Sequence, residues 1–159
     1  MKYFFNDQKN RDRLLIILES WVGTPYRHKS GVKGLGVDCA YFLSRVGEEL
    51  GLVSQGALLP EYSRDFHNHV RDEIYAEFLR KHPLLVEVGI TKPMDGDIIL
   101  YKFGKIASHS AVYFGGYTYQ ARFRVGVVKF HWNQDKRRRR FGFRIKYKDI
   151  NSKRSLDIR

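Results

Sequence analysis

A single cysteine, Cys39, stands among 159 residues, so no disulfide can close within the chain. No apolar run approaches the roughly 20 residues a membrane helix needs, and a bilayer is not an expected partner. Residues 1–10, MKYFFNDQKN, hold no apolar stretch ahead of a small-residue cleavage site, so a standard export signal is not expected. Internal repeats are absent too. Metal-ligand spacing is missing: His67 and His69 stand two apart with no third ligand near them, which reads as a solvated loop. No cofactor is expected. What is present suits a globular protein, with 43% hydrophobic and 29% charged residues, and the length fits one domain over 1–159.

The net charge of +12 is unevenly spread. Residues 1–120 carry 15 basic and 14 acidic side chains, whereas residues 121–159 carry 14 basic and 3 acidic. The run Lys136-Arg137-Arg138-Arg139-Arg140 lies in the second part. Such a segment suits a polyanion or an acidic partner, and a solvated loop would look the same. Tyr117, Tyr119, Phe123, Phe130, Trp132, Phe141 and Phe143 interleave with the arginines. That is the pattern of a single-stranded nucleic-acid surface, and equally of a half-buried sheet.

Leu14, Leu15, Ile17, Leu18 and Trp21 recur at helical spacing, predicting a helix over 11–21 that ends at Gly23. A glycine-rich loop over 24–37 follows, then Asp38 as N-cap of a helix striped by Cys39, Phe42, Leu43, Val46 and Leu50. Residues 52–92 read as a connection with one short helix over 72–79. From Gly96 the period drops to two, predicting strands over 97–102, 108–114, 117–124 and 126–132, with a last one over 141–147. Helices followed by an antiparallel sheet make an α+β domain. Its core is expected over about 11–132, with a basic extension over about 133–159.

Cys39 sits in the first turn of its helix, where unpaired N–H groups stabilise a thiolate. A lone cysteine is otherwise a small buried hydrophobe. An imidazole must take the thiol proton, and among six histidines His109 opens a strand beside the small residues Ala107, Ser108 and Ser110. If Gly115-Gly116 is a two-residue hairpin turn, Gln120 faces Ala111 and lies diagonally from His109, close enough to orient the ring. A three-residue loop would turn Gln120 away. His131 would then be the alternative orienting group.

Taken in order, Trp21-Val22-Gly23-Thr24-Pro25-Tyr26-Arg27, Gly36-Val37-Asp38-Cys39, Met94-Asp95-Gly96-Asp97-Ile98-Ile99 and His109-Ser110-Ala111-Val112-Tyr113-Phe114-Gly115 resemble the NlpC/P60 peptidases. The resemblance spans about residues 11–121 and is greatest to the phage-type cell-wall enzymes, which share a histidine after the Tyr-Arg pair. It implies a papain-like α+β fold and a cysteine peptidase cutting peptidoglycan stem peptides between D-glutamate and a diamino acid. Cys39, His109 and Gln120 match the catalytic positions. Tyr26 matches a tyrosine beside the nucleophile, and Asp38 an acid that can receive a substrate amine. A packed aromatic and a plain helix cap remain the alternatives for these two. Asp38-Cys39-Ala40-Tyr41-Phe42 departs from the usual Asp-Cys-Ser-Gly-Phe, which bears on the pocket and the preferred peptide. A wall substrate without a signal peptide implies a carrier such as a phage tail, a lysis system or a secretion apparatus. A thiol amidase or acyltransferase on another substrate is one alternative, and a catalytically silent virion or nucleic-acid-binding component is the other.

Overall fold

A computed structural model describes residues 2–56, 59, 62 and 72–147. Helix α1 spans Gln8–Trp21, three residues longer at its start than the periodicity predicts. The reason is Asp7, whose side chain caps the helix by accepting from the Lys9 N–H at 2.8 Å. Leu14, Leu18 and Trp21, spaced by one and two turns, are its buried face. Helix α2 spans Cys39–Glu49, with Asp38 as N-cap and Phe42, Val46 and Leu50 buried beneath it. The loop between the helices is more ordered than expected. Within it β1 (Gly31–Val32) and β2 (Gly36–Val37) form a small antiparallel pair. Helix α3 (Ile74–Arg80) is the short helix of the connection.

The main sheet has six strands, all pairs antiparallel. They are β3 (Leu85–Val88), β4 (Ile98–Lys102), β5 (Ala107–Phe114), β6 (Tyr117–Arg122), β7 (Gly126–His131) and β8 (Arg139–Ile145), in the spatial order β3-β8-β4-β5-β6-β7. The α+β class is as the sequence implies. Strand β3 was not anticipated, because four residues are too few to display a period. The greater difference is β8. It lies between β3 and β4, so residues 139–145 belong to the sheet, and the core runs well past residue 132. It also begins before residue 11, since Phe4 and Phe5 are buried.

Gly115 and Gly116 both have positive φ, 57° and 87°, which a two-residue hairpin requires and L side chains resist. The resulting register pairs Phe114 with Tyr117 and Val112 with Tyr119. Both helices pack on one face of this hairpin: Leu14, Leu18, Phe42 and Val46 share a core with Val112, Tyr119, Ala121 and Val127. Each fully buried side chain of this size contributes about 1.5–3 kcal/mol. At the other end of the hairpin's neighbour, Asp97 is fully buried and accepts both Nε and Nη2 of Arg144 at 2.8 Å, tying β4 to β8. Among the described residues no helix is long and apolar enough to cross a membrane.

Candidate active site

The site is assembled where the start of α2 meets the start of β5. Asp38 is buried, and its two oxygens accept from Tyr41 N at 2.9 Å, Lys29 N at 2.8 Å and the Tyr62 hydroxyl at 2.6 Å, with His28 Nδ1 at 3.7 Å. The cap thus fastens both the helix and the preceding loop, and sets Cys39 as the first helical residue. Two neighbours of His109 then hold Cys39. The thiol donates weakly to the carbonyl of Ser108 at 3.8 Å, and the Ser110 hydroxyl donates to the Cys39 carbonyl at 3.2 Å. Since Ser110 spends its proton on that carbonyl, its 2.7 Å contact with Tyr75 has the tyrosine as donor.

His109 is fixed from the hairpin. Its Nε2 lies 2.8 Å from Oε1 of Gln120, whose Nε2 donates to Thr118 Oγ1 at 2.8 Å. The amide orientation leaves Oε1 as acceptor, so Nε2 carries the ring proton and Nδ1 presents a lone pair. The two-residue turn therefore brings Gln120 to the imidazole as its diagonal position requires. His131 is elsewhere, pairing with Tyr117 across β6 and β7, its Nδ1 accepting from Asn133 N at 3.2 Å. Phe103 meets the His109 ring edge to face at 5.4 Å, and Tyr101 lies at 6.0 Å.

Desolvation shifts both groups toward their neutral forms. Burial pushes the Cys39 thiol up to about 11, hydrogen bonds from Ser110 and Ala40 acting against the rise and the charge of Asp38 adding to it. Burial likewise pulls His109 down to about 4, against the bond to Gln120 and helped by the Arg122 charge. Desolvation and the neighbouring Asp38 thus oppose the thiolate that the helix start favours. No hydrogen bond joins Cys39 to His109 in this state.

Tyr26 bridges its backbone to Val37, two residues before the thiol, and its ring meets Phe123 edge to face at 5.5 Å. Asp38 acts as the helix cap. Ser108 and Ser110, expected only as small residues beside His109, contact Cys39, and Thr118 and Tyr75 are further parts of the site that the sequence does not single out. Thr118 lay within reach of strand alternation, being two residues from Gln120 on the same face. Tyr75 comes from the connecting helix, and nothing local announces it. His67 and His69 fall outside the described residues, and among the described ones no cluster of three metal-ligating side chains occurs.

No protein-family model and no curated protein matches the sequence. Solved structures do. The NlpC/p60 domain of the peptidoglycan hydrolase SagA covers 83% of this chain and 96% of its own length, at 15% identity and TM-score 0.55. The P60 domain of antigen MAP1204 from M. avium subspecies paratuberculosis covers 87% and 95%, at 21% identity and TM-score 0.51. The fold is that of the NlpC/P60 domains. A Staphylococcus aureus protein described as similar to lipoprotein, NLP/P60 family, covers 93% of this chain at 16% identity and TM-score 0.59. This chain spans 44% of that longer one. The NlpC/P60 fold thus accounts for most of the chain, at an identity that speaks to architecture and not to chemistry.

Proposed function

We propose that this NlpC/P60-fold chain is a cysteine endopeptidase of the cell wall, hydrolysing peptidoglycan stem peptides at the D-glutamyl–diamino acid bond. The observation that carries the reading is that Cys39, at a helix start, is held by both residues flanking His109, while His109 is oriented by Gln120 with Nδ1 unprotonated. The sulfur attacks the amide carbonyl carbon as its proton passes to His109 Nδ1. The imidazolium then protonates the departing amine, and the C–N bond breaks to leave a thioester on Cys39. Water attacks the thioester with His109 again as base, releasing the carboxylic acid and restoring the thiol.

Because burial disfavours both charged forms, proton transfer to His109 is coupled to attack by the sulfur. Tyr26, anchored beside the start of α2, lines the acyl side, and the Asp38 carboxylate is the acid that attracts the substrate amine. The wall is the place of action. Mass spectrometry of sacculus digests tests the reading. The wild type should release fragments with a free D-glutamate γ-carboxyl, and Cys39→Ala should release none. Released acyl groups other than muropeptides would favour an amidase or acyltransferase. An unchanged sacculus, with Cys39 inert to thiol reagents, would leave a silent binding component.

A further inference from the structure

Lys136, Arg137 and Arg138 make one 3-10 turn, which Arg139 and Arg140 continue into β8. Inside this run the five cations divide. Arg139 is partly buried, lies over the Trp132 ring at 3.4 Å and donates to the Trp132 carbonyl, so it belongs to the sheet. Lys136, Arg137, Arg138 and Arg140 are exposed, and none pairs with a carboxylate among the described residues. Main-chain carbonyls hold two of them in place: Arg140 donates to the carbonyls of Arg137 and Arg139 at 2.8 and 2.9 Å, and Arg138 reaches that of Lys102 at 3.4 Å. Asp135, the acid just before the run, is already paired with Arg122 at 2.7 Å. Four like charges crowded together repel one another, and the described residues offer them no counter-charge.

Their location is the second observation. Arg138 lies over the Phe103 ring at 4.9 Å, and the same ring touches His109. The cationic edge is therefore one aromatic side chain away from the proposed general base. The third observation concerns the rings. Phe103 is covered by Arg122 and Arg138, Phe130 by Arg122, and Trp132 by Arg139. Binding of single-stranded nucleic acid draws on open ring faces for base stacking, and here the protein's own guanidinium groups occupy them. What the edge offers is charge.

Resting on the function proposed above, we propose that Lys136, Arg137, Arg138 and Arg140 dock the carboxylate-bearing polymer that carries the scissile bond. Neighbouring stem peptides of one sacculus engage this edge while another occupies the site beside Cys39 and His109. The linkage raises the local concentration of substrate without entering the bond-breaking step.

The test compares wild type with Arg137→Gln/Arg138→Gln/Arg140→Gln, and with the exposed pair Lys136→Gln/Arg137→Gln, for which no side-chain bond is described, should the triple variant fail to fold. Pelleting with purified sacculi is measured over a salt series, alongside turnover of sacculi and of a free stem tetrapeptide. Binding to sacculi should fall at least about tenfold and lose part of its salt dependence, since screened attractions are removed. The loss of turnover should be at least about tenfold greater on sacculi than on the tetrapeptide. Equal losses on both substrates, or unaltered binding, would overturn the docking surface. Sacculi stripped of phosphodiester wall polymers should still bind, and loss of binding on stripping would assign the edge to those polymers instead. A single-stranded oligonucleotide bound more tightly than sacculi would likewise overturn the proposal. If wild type leaves sacculi uncut yet binds them through these residues, docking stands and the hydrolase reading falls. If wild type cuts them and the variants bind as well as it does, docking alone falls.

Discussion

The interior of the site and the basic edge beside it treat polar groups in opposite ways. Around Cys39 and His109 three polar side chains each have partners inside the protein: Asp38 with Tyr41 and Lys29, Ser110 with Tyr75 and the Cys39 carbonyl, Gln120 with His109 and Thr118. Along residues 136–140 two of the four exposed cations, Arg138 and Arg140, have main-chain anchors, and none has a described counter-charge. Internal pairing fixes geometry, and removing one member leaves a buried orphan that costs stability or rate. Unpaired surface charge leaves no buried orphan when removed, and the proposed docking surface is built from it.

The sharpest way to break this contrast is Cys39→Ala. Loss of the nucleophile should lower kcat/KM by at least ~10³-fold with the fold intact, and retention of a tenth of the activity would end the thiol mechanism. His109→Ala should be comparable, and the double variant little worse than either single, because the two act as one unit. Fully additive losses would separate them. Next in size, Asp97→Ala should destabilise the fold by about 3 kcal/mol, the low end for breaking a buried pair, by leaving the partly buried Arg144 without its carboxylate, read as a shift in the denaturation midpoint. A shift no larger than that of a surface substitution would show that the pair between β4 and β8 is dispensable. Gln120→Ala should cost on the order of 1–3 kcal/mol in transition-state stabilisation, since the imidazole loses its orienting acceptor. At the bottom of the scale, Arg137→Gln alone should leave the melting temperature unchanged or slightly raised. A clear fall would mean that the edge is part of the fold after all.

Acidity offers a separate probe of the interior. His109 is neutral in the fold, its value lowered from 6.5 to about 4, so its contribution to stability is complete above 6.5 and is lost as pH falls toward 4. Cys39, raised to about 11, should be alkylated by iodoacetamide at a rate that climbs with pH beyond 9. A rate constant flat from pH 5 to 8 would instead reveal a thiolate–imidazolium pair at rest.

Much of the site was legible before any coordinates. Asp38 and Cys39 announce themselves because an N-cap and a helix start are local features. The pairing of His109 with Gln120 was legible because Gly115-Gly116 dictates a register, and register dictates faces. Tyr75 and Ser108 were not, for their roles depend on α3 crossing over β5 and on a main-chain carbonyl, neither of which has a sequence signature. The basic run was legible as charge and misleading as a tail, since alternation over so short a stretch does not reveal which strand it will join.

The sequence alone determined the α+β class, the helix that presents Cys39, the hairpin that joins His109 to Gln120, and the concentration of positive charge after residue 120. Those are properties of periodicity, capping and turn chemistry, which act over a few residues. Only the tertiary structure decided that Arg139–Ile145 threads between β3 and β4, that burial disfavours the charged thiol and imidazole, and that Arg138 and His109 share the ring of Phe103. Each of these depends on contacts between residues far apart in the chain, where desolvation and packing, not local preference, set the outcome.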